Sequence, residues 1–166
     1  MFEAASSVLS IFSVVEKVYG RKKIQKMVHL LEAAGTRMPF KYEYHYYGPY
    51  SAELQAELND LAQQGFLRET THDETYVYEI TDKGRKFKEK LDQFGITVAI
   101  DKELVQSMVQ QSSQFLEMVS TYAFLINAGY EPGEAKNKAI ELKSHLKDLV
   151  DKAISYYNEQ VATRSK

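Results

Sequence analysis

The chain has no cysteine. Disulfides, thiolate chemistry and cysteine-based zinc sites are therefore excluded. It has no run of 18 apolar residues, so no spanning helix is expected. It has no excess of charge of one sign. Lys plus Arg number 21 and Asp plus Glu 23, for a net charge of −2, so no global basic field draws in nucleic acid. Divided at residue 100, the first part holds 13 cationic and 14 acidic residues and the second 8 and 9, so neither is a basic module. The apolar N-terminal stretch MFEAASSVLSIFSVVEKVYG lacks a basic leader and carries Glu3 early, so a structural helix is expected rather than a signal peptide, and the protein is expected to be cytoplasmic.

What is present is ordinary globular material, 44% hydrophobic and 27% charged over 166 residues. Val8, Ile11, Phe12, Val15, Val18 and Tyr19 fall at helical spacing, and Gly20 is placed to end that helix. Ile24, Met27, Val28 and Leu31 define a second helix over 22–34, stopped by Gly35. Its first turn holds Arg21, Lys22, Lys23 and Lys26, the wrong sign for a helix N-terminus, so these cations are candidates for another task. From Phe40 the period becomes two. Phe40, Tyr42, Tyr44 and Tyr46 share one face, the expected core side of a half-buried strand. Tyr47-Gly48-Pro49-Tyr50 reads as a turn, and Ser51 as the N-cap of a helix with Leu54, Leu58 and Leu61 inward and Gly65 as its stop. Phe66-Leu67 and Tyr76-Tyr78-Ile80 are the arms of a hairpin around Thr71–Glu74, and Thr81 caps a basic helix.

The last third repeats apolar residues at spacings of four and three. One helix is expected from Asp101 to Gly129 and another from Pro132 past Tyr156, each about 25 residues and roughly 35–40 Å long. The short link makes them an antiparallel hairpin. The first carries two adjoining apolar rows, interrupted together at Gln111 and Ser112. The surplus requires burial on the rest of the chain or in a second copy, so a homodimer through residues 101–160 is one expectation.

The element order of residues 1–97 resembles a winged-helix domain. The segment LNDLAQQGFLRETTHDETYVYEITDKGRKF carries that likeness. The fold class expected is thus α+β, predominantly helical: a winged-helix-like domain with a three-stranded sheet, then a long C-terminal antiparallel helical hairpin over 98–166. Lys26–Leu31, the aromatic strand, Tyr47-Gly48-Pro49-Tyr50-Ser51 and the Leu54, Leu58, Leu61, Gly65 series resemble the YwgA-like bacterial family over the whole chain. Over about Arg21 to Leu67 they more distantly resemble the Panacea-type antitoxin domain. The latter likeness implies action through protein partners, notably toxins.

Chemistry is sparse. His29, His45, His72 and His145 show no metal-ligand spacing, and His29 reads as a packed or surface residue. There is no phosphate-binding glycine loop and no nucleophile motif, so neither metal, cofactor nor catalysis is expected. In a winged helix, the helix before the wing enters the DNA groove. Here it carries Glu53, Glu57 and Asp60 and no Lys or Arg, which opposes phosphate contact. The expected function is non-enzymatic protein binding by a regulatory protein. The site residues are Tyr47 and Tyr50 of the turn and Glu53, Glu57 and Asp60 of the acidic face. The alternative is a DNA-binding regulator using Arg21, Lys22, Lys23 and Lys26 together with Lys83, Arg85, Lys86, Lys88 and Lys90. Two solvated helix faces are the simpler account of those cations.

Overall fold

A computed structural model describes residues 2–165. Helix α1 (Glu3–Val15) is buried from Ala5 to Phe12. Its serines survive burial because each hydroxyl is used. Ser7, Ser10 and Ser13 donate to the carbonyls four residues back, and Ser6 donates to the Ile96 carbonyl. The helix ends at Val15, four residues earlier than Gly20 allows. Glu16 turns the chain at φ 59, and Lys17–Tyr19 becomes strand β1 instead of a last helical turn. Three residues are too few to display a period of two, so only pairing across the chain defines this strand.

Helix α2 (Arg21–Ala33) follows, then a small antiparallel pair, β2 (Glu43–His45) and β3 (Gly48–Tyr50). Helix α3 (Ala52–Gln63) begins as expected, with the Ser51 hydroxyl accepting from the Leu54 amide. Strands β4 (Leu67–His72) and β5 (Thr75–Ile80) form the hairpin, and α4 (Asp82–Gln93) is capped by Thr81. The three-stranded sheet has the order β1–β5–β4, all antiparallel. Its third strand is therefore β1. The tyrosine strand stands apart in its own two-stranded pair.

The C-terminal part is helical but segmented. The expected first long helix is two, α5 (Lys102–Val109) and α6 (Ser113–Asn127). The break falls where polar residues interrupt both rows: Ser112 caps α6 by accepting from the Phe115 amide, and Lys23 donates to the Val109 carbonyl at the end of α5. The expected second long helix is α7 (Pro132–Leu142), a 3-10 segment (Ser144–Leu149), α8 (Val150–Tyr156) and π and 3-10 turns to Ser165. Lys143, at φ −127 and ψ 51, breaks the helix.

One hydrophobic cluster contains α1 (Leu9, Phe12), α2 (Ile24, Met27, Leu31), α3 (Leu54, Leu58), α6 (Leu116, Val119, Ala123) and α8 (Ala153). The surplus apolar surface of α6 is covered within the chain: Leu116 through Ala123 are all buried. Among the described residues, no helix is long and apolar enough to cross a membrane.

Candidate functional site

A cleft of about 920 Å³ opens at the N-terminal end of α2. That is the size of a ligand or peptide site. Gly20, Arg21, Lys22, Gln25 and Lys26 line its floor. One wall is the β2–β3 turn and Tyr50; the other is Tyr19 with Glu74, Thr75 and Tyr76 of the β4–β5 hairpin. Tyr19, Tyr46, Tyr47 and Tyr76 all present exposed rings. The Arg21 guanidinium lies 3.7 Å from the centre of the Tyr76 ring, and the Lys22 ammonium 4.8 Å from that of Tyr47.

Buried bonds fix the β2–β3 wall. The Gln25 amide donates to the Ser51 carbonyl at 2.9 Å and accepts from the Ser51 amide at 2.8 Å. Lys26 Nζ donates to the Pro49 carbonyl at 2.7 Å, and Lys143 Nζ to the Tyr46 carbonyl at 2.6 Å. Gly48 is required by φ 94 and by space: a Cβ there would lie 3.1 Å from Thr121 Oγ1.

Beneath this wall lies a charge cluster. Glu117 of α6 is 1% exposed. Its Oε1 lies 3.1 Å from Lys22 Nζ and its Oε2 2.9 Å from Lys143 Nζ. Oε2 accepts no hydrogen bond of good geometry, so that contact is an ion pair held by charge. Lys26 completes the group. Burial pulls its ammonium from 10.5 down to about 8, with Glu117 opposing the fall and Lys143 and Lys22 adding to it. His29 is buried on the same helix, its Nδ1 2.7 Å from Ser120 Oγ. Burial, aided by Lys26, holds it down at about 3, so it is a neutral packed residue. Glu117 has a sequence signature: it is the only charged residue of α6.

The structure divides the residues singled out in the sequence. Tyr47 and Tyr50 line the cleft, Tyr50 stacked on His45 at 4.8 Å between ring centres. The turn itself is Tyr46-Tyr47, with Gly48–Tyr50 in β3. The tyrosine face is split. Phe40 is buried and Tyr42 and Tyr44 are half-buried, but Tyr46 is 85% exposed because the turn carries it outward. Glu53, Glu57 and Asp60 share a different face of α3, and none lines the cleft. Glu53 accepts from the Lys41 amide, while burial and then Asp60 push Glu57 upward.

The first basic group does not form a free patch. Arg21 donates to the Tyr78 hydroxyl and to Glu69, Lys22 pairs with Glu117, Lys23 caps α5, and Lys26 is buried. In the second group, Lys83 donates to the Gln64 carbonyl, Arg85 pairs with Glu16, and Lys88 pairs with Asp92; Lys86 and Lys90 are exposed. No residue of Lys83–Lys90 lines the cleft.

These features define an α+β, predominantly helical protein with a small antiparallel sheet and a tyrosine-lined cleft at a helix N-terminus. Among known proteins, the chain is 34% identical over 168 aligned positions to the uncharacterized protein YwgA of Bacillus subtilis strain 168, covering 96% of this chain and 97% of that relative. The chain belongs to the YwgA family of bacterial proteins. No family profile and no solved structure matches it.

Proposed function

We propose that this is a non-enzymatic, winged-helix-like regulatory protein of the bacterial cytoplasm that acts by binding another protein through the cleft. The observation that carries this reading is the set of exposed tyrosine rings, Tyr19, Tyr46, Tyr47 and Tyr76, gathered with Arg21 around one concavity. Tyrosine and arginine are the residue types that dominate binding energy at protein interfaces, and they do so in preformed pockets. The winged-helix likeness is supported by the order helix, strand, helix, small β2–β3 pair, helix, hairpin, and by the pairing of β1 with the second strand of the β4–β5 hairpin. Tyr47 and Tyr50 belong to the binding surface; Glu53, Glu57 and Asp60 flank it from another face of α3.

The DNA-binding alternative has less support. The helix before the hairpin is acidic, and the two basic groups do not join into one surface: Arg21, Lys22 and Lys26 line the cleft, and no residue of Lys83–Lys90 does. A homodimer through residues 101–160 also has less support, because the apolar rows of α6 are covered within the chain.

Affinity capture from a bacterial lysate with the tagged protein, followed by mass spectrometry, tests the reading. A partner is expected that is lost when Tyr47→Ala and Tyr76→Ala are combined and kept when Glu53→Lys is introduced. Capture at undiminished yield by the double tyrosine variant would refute the cleft as the binding surface.

A further inference from the structure

We infer that the cleft selects an acidic segment of its protein partner, seating carboxylates over the start of α2 between the two tyrosine walls. This inference rests on the protein-binding reading above. The whole chain is slightly acidic, at −2, so a positive cleft is a local construction. Among the described residues, Arg21 pairs with Glu69, Lys22 and Lys143 share Glu117, and Lys26 donates to the Pro49 carbonyl; with Glu74 in the lining, four cations stand against three carboxylates, an excess of one positive charge. The first turn of α2 adds its own partial positive charge. Gly20 supplies no side-chain cap there, and Gly20, Arg21 and Lys22 all face the cleft. Cations placed beneath a concavity with apolar walls exert a stronger field than the same charges in open water.

The surroundings specify the kind of anion. Glu74 stands at the rim, and Glu53, Glu57 and Asp60 lie on the neighbouring helix. A nucleic-acid strand would have to carry its continuous phosphate charge past these carboxylates. A peptide concentrates its charge in a few side chains and can place apolar atoms against Tyr47 and Tyr76. Arg21, already oriented by Tyr78 and Glu69, offers the planar donor geometry that carboxylates favour.

Lys26 gives the site a pH signature. Its ammonium faces Glu117 from α6, Lys143 from the end of α7, Lys22 from its own helix and the Pro49 carbonyl. An added carboxylate favours the charged form, so affinity is expected to fall as pH rises past about 8.

The test is a titration of the ¹⁵N-labelled full chain with an oligoglutamate peptide at low ionic strength, followed by backbone amide shifts. Oligoglutamine and oligothymidylate serve as the comparison probes. Saturable shifts are expected at Gly20, Arg21, Lys22, Tyr47 and Gly48. Arg21→Met should weaken binding about tenfold, as loss of a charged hydrogen bond does. Equal shifts with oligoglutamine, shifts confined to α4, or tighter cleft binding by oligothymidylate would each overturn the inference. The two readings fail separately. If oligoglutamate leaves the cleft amides unmoved while the captured partner still requires Tyr47 and Tyr76, the acidic segment is wrong and protein binding stands. If no partner depends on those tyrosines, protein binding at the cleft falls too.

Discussion

Replacing Glu117 by glutamine keeps the shape of the side chain and removes the one carboxylate, among the described residues, that pairs with Lys22 and Lys143. Lys143 is 3% exposed at its side chain and Lys26 is buried, so water cannot replace the lost charge for either. Breaking a buried pair from one side costs about 3–5 kcal/mol. Lys22 is partly exposed and recovers some hydration, which places the expected loss near the lower end, at about 3 kcal/mol. Urea unfolding followed by the fluorescence of the 12 tyrosines measures it. The pH dependence supplies a second readout. Lys26 titrates at about 8 in the folded chain, below its ordinary 10.5, so the unfolded chain holds that proton more tightly. Stability therefore rises with pH between about 8 and 10.5, by an amount on the order of 3 kcal/mol in the limit. Once Lys26 is neutral, it no longer gains from Glu117. The deficit of Glu117→Gln should consequently shrink as pH is raised through 8. A deficit below about 1 kcal/mol at neutral pH, or one that grows with pH, would refute the reasoning.

Gly84→Ala should destabilise the chain by about 2 kcal/mol or more in the same assay, because its Cβ would lie 2.1 Å from the Phe66 carbonyl oxygen, outweighing the gain in helix propensity. Gly133→Ala, in open space near the start of α7, should instead be neutral or stabilising by up to about 1 kcal/mol. Glu32→Gln should be more stable than the parent by about 1–2 kcal/mol near pH 8 and no more stable near pH 4. Burial raises the Glu32 carboxyl to about 7, with the Tyr42 hydroxyl opposing, so its folded form retains a proton that the unfolded chain releases from about 4.5 upward. Stability linked to Glu32 is thus present in acid and lost as pH rises through 7; thermal melts across that range check it.

Local signals placed most elements well. Ser51 and Thr81 each cap the helix they were expected to cap, Asp101 caps α5 where the long helix was expected to start, and Pro132 opens α7. Such caps are decided by residues three apart, which a sequence displays directly. What escaped depends on distance. Strand β1 exists because Lys17–Tyr19 meets Val77–Glu79, some sixty residues on. The Glu117 cluster joins α2, α6 and the end of α7, and each lysine in it resembles an ordinary solvated charge when read alone. The basic first turn of α2, unfavourable by helix electrostatics, finds its reason here: two of its cations hold the floor and wall of the cleft, a third ends α5, and Arg21 ties to the hairpin. The cleft was half legible. Tyr47 and Tyr50 were visible in the turn, whereas Tyr19 and Tyr76 join them only through the β1–β5 ladder.

The two hairpins that border the cleft are held in different ways. The β2–β3 pair is bolted from below by Lys26, Lys143 and Gln25. The β4–β5 pair is tied at its base by β1, by the Gly20 amide donating to the Tyr76 carbonyl and by Arg21, and beyond those ties runs a short exposed tip, where Asp73 and Glu74 turn the chain at φ 48 and 65. The cleft is therefore a gauge with one fixed jaw and one cantilevered arm. An occupant that did not match the gap would meet resistance from the fixed jaw and could be accommodated only at the tip of the β4–β5 arm, beyond Tyr76. Stiffening that arm would narrow the range of shapes admitted without altering a single contact on the other side.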